Sequence, residues 1–415
     1  MCLSLAGTQD RDVSILAAPG NPGTAAVGRN VDVAASDIHG LVRLAREESV
    51  DLVVPGPEIS LVEGVADACS AAGIPCCGPS AAAARLEGSK AFTRTLTAEA
   101  GVPSPRYLIV ESSAEVAAAV ASFEVAPVIK ADGLAGGKGV FLPDSAAACE
   151  ARAHDLLGGS LGDAGRRVVF EERLSGVEAS LFYACSGTSL VALPHAQDYK
   201  RLEDDDLGPN TGGMGAISPN PVIDGVLEKT VRETIVLPIL ETMADRGTPF
   251  AGFLYAGLML TTGGPKLLEF NVRLGDPEAQ AILPRLEGDG FLDVCLQTAH
   301  GHPEAAEPDV DAAATCAVVL AAQGYPQVPR TGDPIEILPG LDTPERWLVH
   351  AGTRRRNGDL VTAGGRVAAV VARDDTVARA RRSAYEGLDM IHWRGMTARR
   401  DIGTPQRSGS FVSDG

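Results

Sequence analysis

The stretch PVIKADGLAGGKGVFL, Pro127 to Leu142, sets a glycine-rich loop between two apolar, strand-like runs. Glycines let successive backbone N–H groups close around phosphate oxygens, and Lys138 adds a charge. A Walker A loop needs GxxxxGK followed by Ser or Thr and then a helix, and a dinucleotide fingerprint also opens a helix. Neither fits, because Val140 to Leu142 read as a returning strand. The pattern predicts a hairpin loop folding over phosphates, with Gly136, Gly137 and Lys138 as its contacts. Lys130 ends the first apolar run, where an unpaired ammonium would be costly. The position therefore predicts an anionic partner, unless the side chain snorkels to solvent.

Next along the chain, VVFEERLSGVEASLFYAC, Val168 to Cys185, reads as two strands separated by an acidic turn. On the second, Glu178, Ser180 and Phe182 share one face. A carboxylate at Glu178 can accept both hydroxyls of a ribose. The backbone of Glu171, Glu172 and Leu174 can read an adenine edge. A solvated acidic turn would have the same sequence.

A third element is a hairpin: FLYAGLML (Phe253 to Leu260), the turn TTGGP, then KLLEFNVRLGDPE from Lys266 to Glu278. Period-two alternation puts Leu267, Glu269, Asn271 and Arg273 on one face, with Leu268, Phe270, Val272 and Leu274 on the other. Acid, amide and guanidinium then stand in line about 7 Å apart. Oxygen ligands suit Mg²⁺, which binds through one or two carboxylates and completes its shell with phosphates and water. Arg273, one step along, is placed to steady a phosphoryl group in transfer. An exposed polar face is the alternative, and it accounts poorly for so apolar a partner face. Asp276 and Pro277 also read as the N-cap and first residue of a helix.

AQDYKRLEDDDLGPNTGGMGA, Ala196 to Ala216, reads as a long loop rich in charge. Loops of this length are usually functional or disordered. Asp198, Lys200 and Arg201 are its candidates for handling substrate charge, and the Asp-rich run reads as solvated.

Towards the start the chain alternates apolar runs and helical patterns: Val13 to Ala17, a helix around Ile38 to Glu48, Leu52 to Val54, a helix around Leu61 to Ala72. That βαβα rhythm implies a parallel sheet. Its loops APGNPGT (Ala18 to Thr24) and PGPE (Pro55 to Glu58) lie beyond strand ends, where open parallel sheets bind ligands. Simple turns would read the same. Towards the end, strands at Thr315 to Ala321 and Arg366 to Ala372 precede a helix around Thr376 to Leu388, and a polar tail follows Asp401.

At 415 residues, 45% hydrophobic and 22% charged, the chain can bury a large core and divide into roughly two to four domains. A formal net charge of −18 repels nucleic acid and anionic lipid, while leaving a small anionic substrate possible in a cleft lined by inward Lys and Arg. Eight cysteines without a CxxC pair argue against metal and disulfide chemistry. No apolar run approaches the ~20 residues of a membrane helix. The expectation is a cytoplasmic protein.

Read together, these elements resemble the ATP-grasp superfamily and, within it, the glycinamide ribonucleotide synthetases. The phrases that carry the resemblance are LEGSKAFTR (Leu86 to Arg94), IKADGLAGGKGV, QDYKR, GPNTGGMGA, FLYAGLM, EFNVRLGDPE and RRDIG (Arg399 to Gly403), with APGNPGT and GPE nearer the start. The resemblance covers nearly the whole chain. It implies an ATP-grasp fold of α/β and α+β character. An N-terminal parallel α/β domain would span 1–85, an ATP-grasp domain 86–310 with a lid at about 102–175, a β-rich domain 311–403, and a disordered tail 404–415.

The resemblance also implies the chemistry. ATP phosphorylates the carboxylate of glycine, and the amine of 5-phosphoribosylamine then displaces phosphate, a step of purine biosynthesis. Lys90 and Lys130 would hold ATP phosphates, Lys138 would close over them and Glu178 would take the ribose. Glu269 and Asn271 would bind Mg²⁺ or Mn²⁺ as its two protein ligands, since Leu254 to Gly257 carry no further acid. Arg273 would stabilise the phosphoryl in transfer, and Asp198 would receive an amino group. Asn21, Gly23, Thr24, Gly56, Pro57, Glu58, Ser89, Lys200, Gly275 and Asp276 complete the expected substrate contacts. The expected partners are these small molecules alone, with a monomeric enzyme. Other ATP-grasp carboxylate–amine ligases, or a non-catalytic nucleotide-binding homologue, are the competing readings. The family's first strand and GNGGREHAL-like phosphate loop precede the helix that MCLSLAGTQD (Met1 to Asp10) resembles. The sequence as given therefore predicts weakened handling of 5-phosphoribosylamine.

Overall fold

The computed structural model describes residues 1–136 and 139–404. The βαβα rhythm at the start yields two short parallel ladders rather than one sheet. Leu16–Ala17 pairs with Arg29–Asn30, and Val53 pairs singly with Cys76. Proline and glycine at 19, 20, 22 and 23 stop the first strand, because proline has no N–H to donate and glycine weakens extended backbone. Asp37 caps the helix Ile38–Glu47 by accepting the Gly40 N–H at 2.9 Å. The expected helix from Leu61 to Ala72 is two helices, Glu58–Val62 and Val65–Ala71, broken at Gly64, whose φ of +88° suits only glycine without strain.

An eight-stranded antiparallel sheet forms the centre. Its order is Gly264–Asn271, Ala251–Thr261, Val177–Ser186, Ser189–Asp198, Gly215–Ser218, Ala314–Ala321, Arg366–Asp374 and Arg346–His350. The sheet runs on across residue 311, because Gly215–Ser218 pairs with Ala314–Ala321. One face buries Leu181, Tyr183, Leu254, Phe270 and Val272 against Leu86, Leu96 and Ile235. The other packs Phe182, Phe253, Tyr255 and Leu274 on Phe291 and Val294 of the helix Gly290–Ala299. Each such side chain contributes about 1.5–3 kcal/mol when fully buried.

The two strands read between Val168 and Cys185 are both present. Val168–Glu171 and Val177–Ser186 lie in different sheets, the first in a separate four-stranded sheet with Tyr107–Val110, Val128–Ala131 and Val140–Phe141. This smaller sheet has its own core, in which Val116, Cys149 and Leu156 cover Ile129 and Phe170. It meets the central sheet where Lys130 Nζ donates to Leu268 O at 3.0 Å. Residues 196–216 are not a structureless loop, since Arg201–Glu203 and Leu207–Asn210 form a small antiparallel hairpin. Its tip is not merely solvated either. Asp206 accepts from Arg399 Nη1 at 2.9 Å, and Asp204 accepts the Arg400 N–H at 2.7 Å, so the Asp-rich run binds RRDIG. Among the described residues no helix is long and apolar enough to cross a membrane.

Candidate active site

A cleft of about 2530 Å³ opens where the N-terminal segment, the smaller sheet, the central sheet and the C-terminal strands meet. Leu268, Glu269 and Asn271 of the strand Gly264–Asn271 line it. The register there is broken by a β-bulge: Gly257 pairs with Glu269 and Leu258 with Leu267, leaving Leu268 as the extra residue. The expected alternation fails at that point. Leu267 joins Phe270 and Val272 in the core, while Leu268 lines the cleft with Glu269, Asn271 and Arg273. One extra residue exchanges the faces of everything before it.

The bulge carbonyl is pinned. Arg94, fully buried, donates to Leu267 O at 3.1 Å and to Leu268 O at 2.5 Å, and forks onto both oxygens of Glu171 at 2.6 and 2.8 Å. Lys130 Nζ reaches Glu171 Oε2 at 2.9 Å and Leu268 O at 3.0 Å. The anionic partner expected for Lys130 is thus present as a side chain. Burial lowers the Lys130 ammonium from its ordinary range, with Glu171 opposing. Burial also works against charge on Glu171, but Lys130 and Arg94 outweigh it and hold that carboxyl below its usual range.

Lys90 Nζ stands 3.2 Å from Glu269 Oε2, and this ammonium is the main cause that keeps the Glu269 carboxyl well below the usual range. Beyond Asn271, the Arg273 guanidinium is held three ways. Nε donates to Glu58 at 3.0 Å, Nη2 to Glu87 at 3.1 Å and Nη1 to Leu274 O at 3.1 Å. Glu87 also accepts the Val272 N–H at 2.8 Å, and burial raises its carboxyl against the pull of Arg273.

Asp198, Lys200, Glu178, Tyr255 and Glu278 form the inner wall. Lys200 Nζ lies 3.3 Å from Glu178 and 3.7 Å from Asp198, and Tyr255 OH meets Ser180 Oγ at 3.0 Å. Glu178, expected to face a ribose, is here engaged by Lys200. Burial raises the carboxyl of Asp198 against the attraction of Lys200. Burial, reinforced by Asp198, pushes Glu278 up to about 7.

The remaining expected contacts divide. Asn21, Gly23, Thr24, Gly56, Pro57, Glu58, Gly136, Glu171, Glu172, Leu174, Gly275 and Asp276 all line the cleft. Asn21 Oδ1 accepts the N–H groups of Gly23 and Thr24, and its amide donates to His350 O and Ala351 O, tying the loop to the C-terminal strands. Ser89 does not line the cleft. Its hydroxyl caps Lys90–Glu99 by accepting the Phe92 N–H, and donates to Asp132 at 2.8 Å. Asp276 does not cap the next helix, whose N-cap is Pro277. Its carboxylate instead accepts from Gln280 at 2.7 Å and pairs with Arg366 at 3.0 Å. Gly137 and Lys138 lie outside the described residues.

The reading of the sequence missed Glu87, Arg94, Tyr255, Glu278 and Arg366. Glu87 and Arg94 were legible as charges set among Ala84, Leu86 and Leu96 on helical spacing. Arg366 has no such signal, because it is defined only by distant partners: it donates to Gly212 O at 2.7 Å besides pairing with Asp276.

The donor set fits a hard divalent cation. Glu269 is held ionised at the cleft wall, and Asn271, a residue only 9% exposed, brings an amide oxygen to the same wall. Lys90, Lys130, Lys200 and Arg273 gather positive charge in a chain whose net charge is −18. Acidic side chains outnumber basic ones around the cleft as a whole, so it is these four cations, beside the oxygen ligands, that can meet an anion.

Residues 1–87, 88–279 and 315–405 match, in that order, the N, ATP-grasp (A) and C domain models of phosphoribosylglycinamide synthetase. The phosphoribosylamine–glycine ligase of Caulobacter vibrioides is 48% identical over 393 residues, covering 94% of this chain and 91% of that protein. The ligase of the same description from Allochromatium vinosum is 44% identical over 393 residues, covering 94% and 92%. Among solved structures, phosphoribosylamine–glycine ligase from Thermotoga maritima superposes with a TM-score of 0.82 at 33% identity, covering 97% of this chain and 96% of that one. A biotin carboxylase domain from Hydrogenobacter thermophilus, 14% identical with a TM-score of 0.73, shares the fold.

Proposed function

The chain belongs to the phosphoribosylglycinamide synthetase family, and from that premise we propose that its cleft joins glycine to 5-phosphoribosylamine with ATP as the energy source. The products are glycinamide ribonucleotide, ADP and phosphate. The observation that carries the residue assignments is the row Glu269, Asn271 and Arg273, facing Lys90 on one side and Glu58 and Glu87 on the other.

In the first step a carboxylate oxygen of glycine attacks the γ-phosphorus and ADP leaves, giving glycyl phosphate. Lys90 and Lys130 offset the charge of the nucleotide phosphates, and Lys138 is assigned to the loop above them. The backbone of Glu171, Glu172 and Leu174 is assigned to the adenine and Glu178 to the ribose, which requires Glu178 to exchange Lys200 for hydroxyl groups. A bound Mg²⁺ or Mn²⁺, held by Glu269 and Asn271, would supply charge neutralisation for the phosphoryl oxygens. Arg273, its plane set by Glu58 and Glu87, is assigned to the acyl phosphate, which must share or displace its contacts to those carboxylates and to Leu274 O.

In the second step the amine of 5-phosphoribosylamine attacks the acyl carbon and phosphate departs. Asp198 is assigned to an amino group. The loops at Asn21–Thr24 and Gly56–Glu58 are assigned to the sugar-phosphate side. Catalysis of this kind is positioning, charge compensation and exclusion of water from a hydrolysable intermediate. We take the enzyme as a monomer acting in the cytoplasm.

The test measures ADP release with each substrate omitted in turn and identifies the product by mass. Full release is expected only with glycine and 5-phosphoribosylamine together. Equal release without the amine, or no glycinamide ribonucleotide, would sink the assignment.

A further inference from the structure

We propose that Arg94 is a positioning residue that sets the charge presented to the nucleotide phosphates, by occupying Glu171 and so leaving the Lys130 ammonium available to an anion. The inference rests on the reading of Lys130 as a phosphate-binding residue. Arg94 comes from the helix Lys90–Glu99 and none of its nitrogens faces the cleft, whereas Lys130 lines it.

The two cations share the same two oxygens. Arg94 Nη2 and Lys130 Nζ both reach Glu171 Oε2, at 2.8 and 2.9 Å, and both reach Leu268 O, at 2.5 and 3.0 Å. Arg94 Nε also takes the second carboxylate oxygen at 2.6 Å, so the bidentate face of Glu171 belongs to arginine. One carboxylate stands between two cations in a buried place, leaving a surplus of one positive charge. Only Lys130 can move that surplus towards the cleft, because the Arg94 guanidinium is committed on three nitrogens. Without Arg94, Glu171 and Lys130 would close into a neutral pair. A phosphate would then have to break that pair before gaining the ammonium. Sharing Leu268 O also fixes the bulge carbonyl at the distance Lys130 uses.

The measurement is ADP binding by calorimetry without added metal, alongside KM for ATP and kcat. Arg94→Gln should weaken ADP about tenfold and raise KM for ATP in step, with kcat at saturating ATP nearly kept. Arg94→Lys, which keeps the charge but not the fork, should bind ADP within about threefold of the parent while losing thermal stability. Arg94→Gln/Glu171→Gln removes the competitor together with the arginine and should recover the lost affinity, a rescue that general damage to the fold would not give. If Arg94→Gln does not fold, the double variant is compared directly with the parent, and ADP affinity at least equal to the parent's is expected. Affinity unchanged in Arg94→Gln, or unrecovered in the double variant, overturns the proposal. Lys130→Ala separates the two levels. If it too leaves ADP binding unchanged, the phosphate assignment of Lys130 itself fails. If it weakens binding while Arg94→Gln does not, only the role of Arg94 falls.

Discussion

Glu58, in the N-terminal segment, accepts a hydrogen bond from Arg273 Nε at 3.0 Å across 215 positions of sequence. The same guanidinium reaches Glu87 at 3.1 Å, so its plane is set by two carboxylates from two helices. A planar fork held this way cannot be copied by an ammonium. Arg273→Lys should lower kcat/KM by about a hundredfold or more, and Glu58→Gln by about tenfold, because the amide keeps shape but not charge. Steady-state kinetics in all three substrates checks both, and an unchanged kcat in Arg273→Lys would remove this residue from the mechanism.

Glu269→Ala and Asn271→Ala should each reduce turnover by about a thousandfold or more at saturating Mg²⁺, since each removes one of two protein oxygens for the cation. Folding should change little. Glu269 is partly exposed and its partner Lys90 can turn to solvent, and Asn271 lies at the cleft wall and not in the apolar core. A fall in Tm of only a few degrees is expected. Near-parental rates in either variant would refute the metal assignment.

The part of the site legible in the sequence was the part carried by local spacing. Glu269, Asn271 and Arg273 lie two apart, and period two alone brings them to one face. Leu267 was misplaced because a bulge is decided by the partner strand and by Arg94, neither of which the alternation contains. Lys130 was expected to need an anion, but Glu171 read as a turn residue, and only the folding of the smaller sheet brings them to 2.9 Å. The parallel pairing read at the start is present but short: Leu16–Ala17 pairs over two residues with Arg29–Asn30, a polar strand that no apolar run marks, and Val53 makes a single bridge to Cys76. Glu278 carries no sequence signal, because burial, not spacing, makes it chemically unusual.

The smaller sheet should respond to nucleotide. Its hairpin pairs Lys130 with Val140 directly over the cleft, and Asp132 ties it to the helix Lys90–Glu99 through Ser89 Oγ and the Ala91 N–H. MgATP bridging Lys90, Lys130 and the glycine loop would hold these parts together. Amide exchange between Ala131 and Gly136 should slow several-fold on adding MgATP. Unaltered exchange there would count against a phosphate-covering loop.

Glu278 predicts the pH dependence of stability. Its carboxyl is pushed up to about 7 by burial, then by Asp198, against Lys200 and Arg273. The folded state therefore holds a proton that the unfolded chain, near 4.5, releases. Between those values the native state binds more protons, so this group's contribution is complete below about 4.5 and is lost as pH rises through about 7. Urea unfolding of Glu278→Gln should show a shallower fall in stability across that window than the parent shows. Parallel curves would mean that Glu278 titrates normally.

Gly275 should be needed for the placement of Glu278 rather than for folding. Its backbone is not in the left-handed region, so alanine brings no conformational strain. A Cβ there would, however, overlap the Glu278 carboxylate, with Oε1 only 2.9 Å away. Since the obstructing atoms are the far end of a flexible side chain, the carboxylate can swing aside at small cost to the helix Glu278–Ile282. What it loses is its place beside Asp198 and Lys200. Gly275→Ala should therefore leave Tm within a few degrees of the parent, flatten the stability profile below pH 7 as Glu278→Gln does, and slow turnover. Combining the two substitutions should cost little more than either alone, because both act on one carboxylate. Additive losses in kcat would show that the overlap at Gly275 damages the cleft by another route, and that the close approach of Gly275 to Glu278 has no part in holding the inner wall.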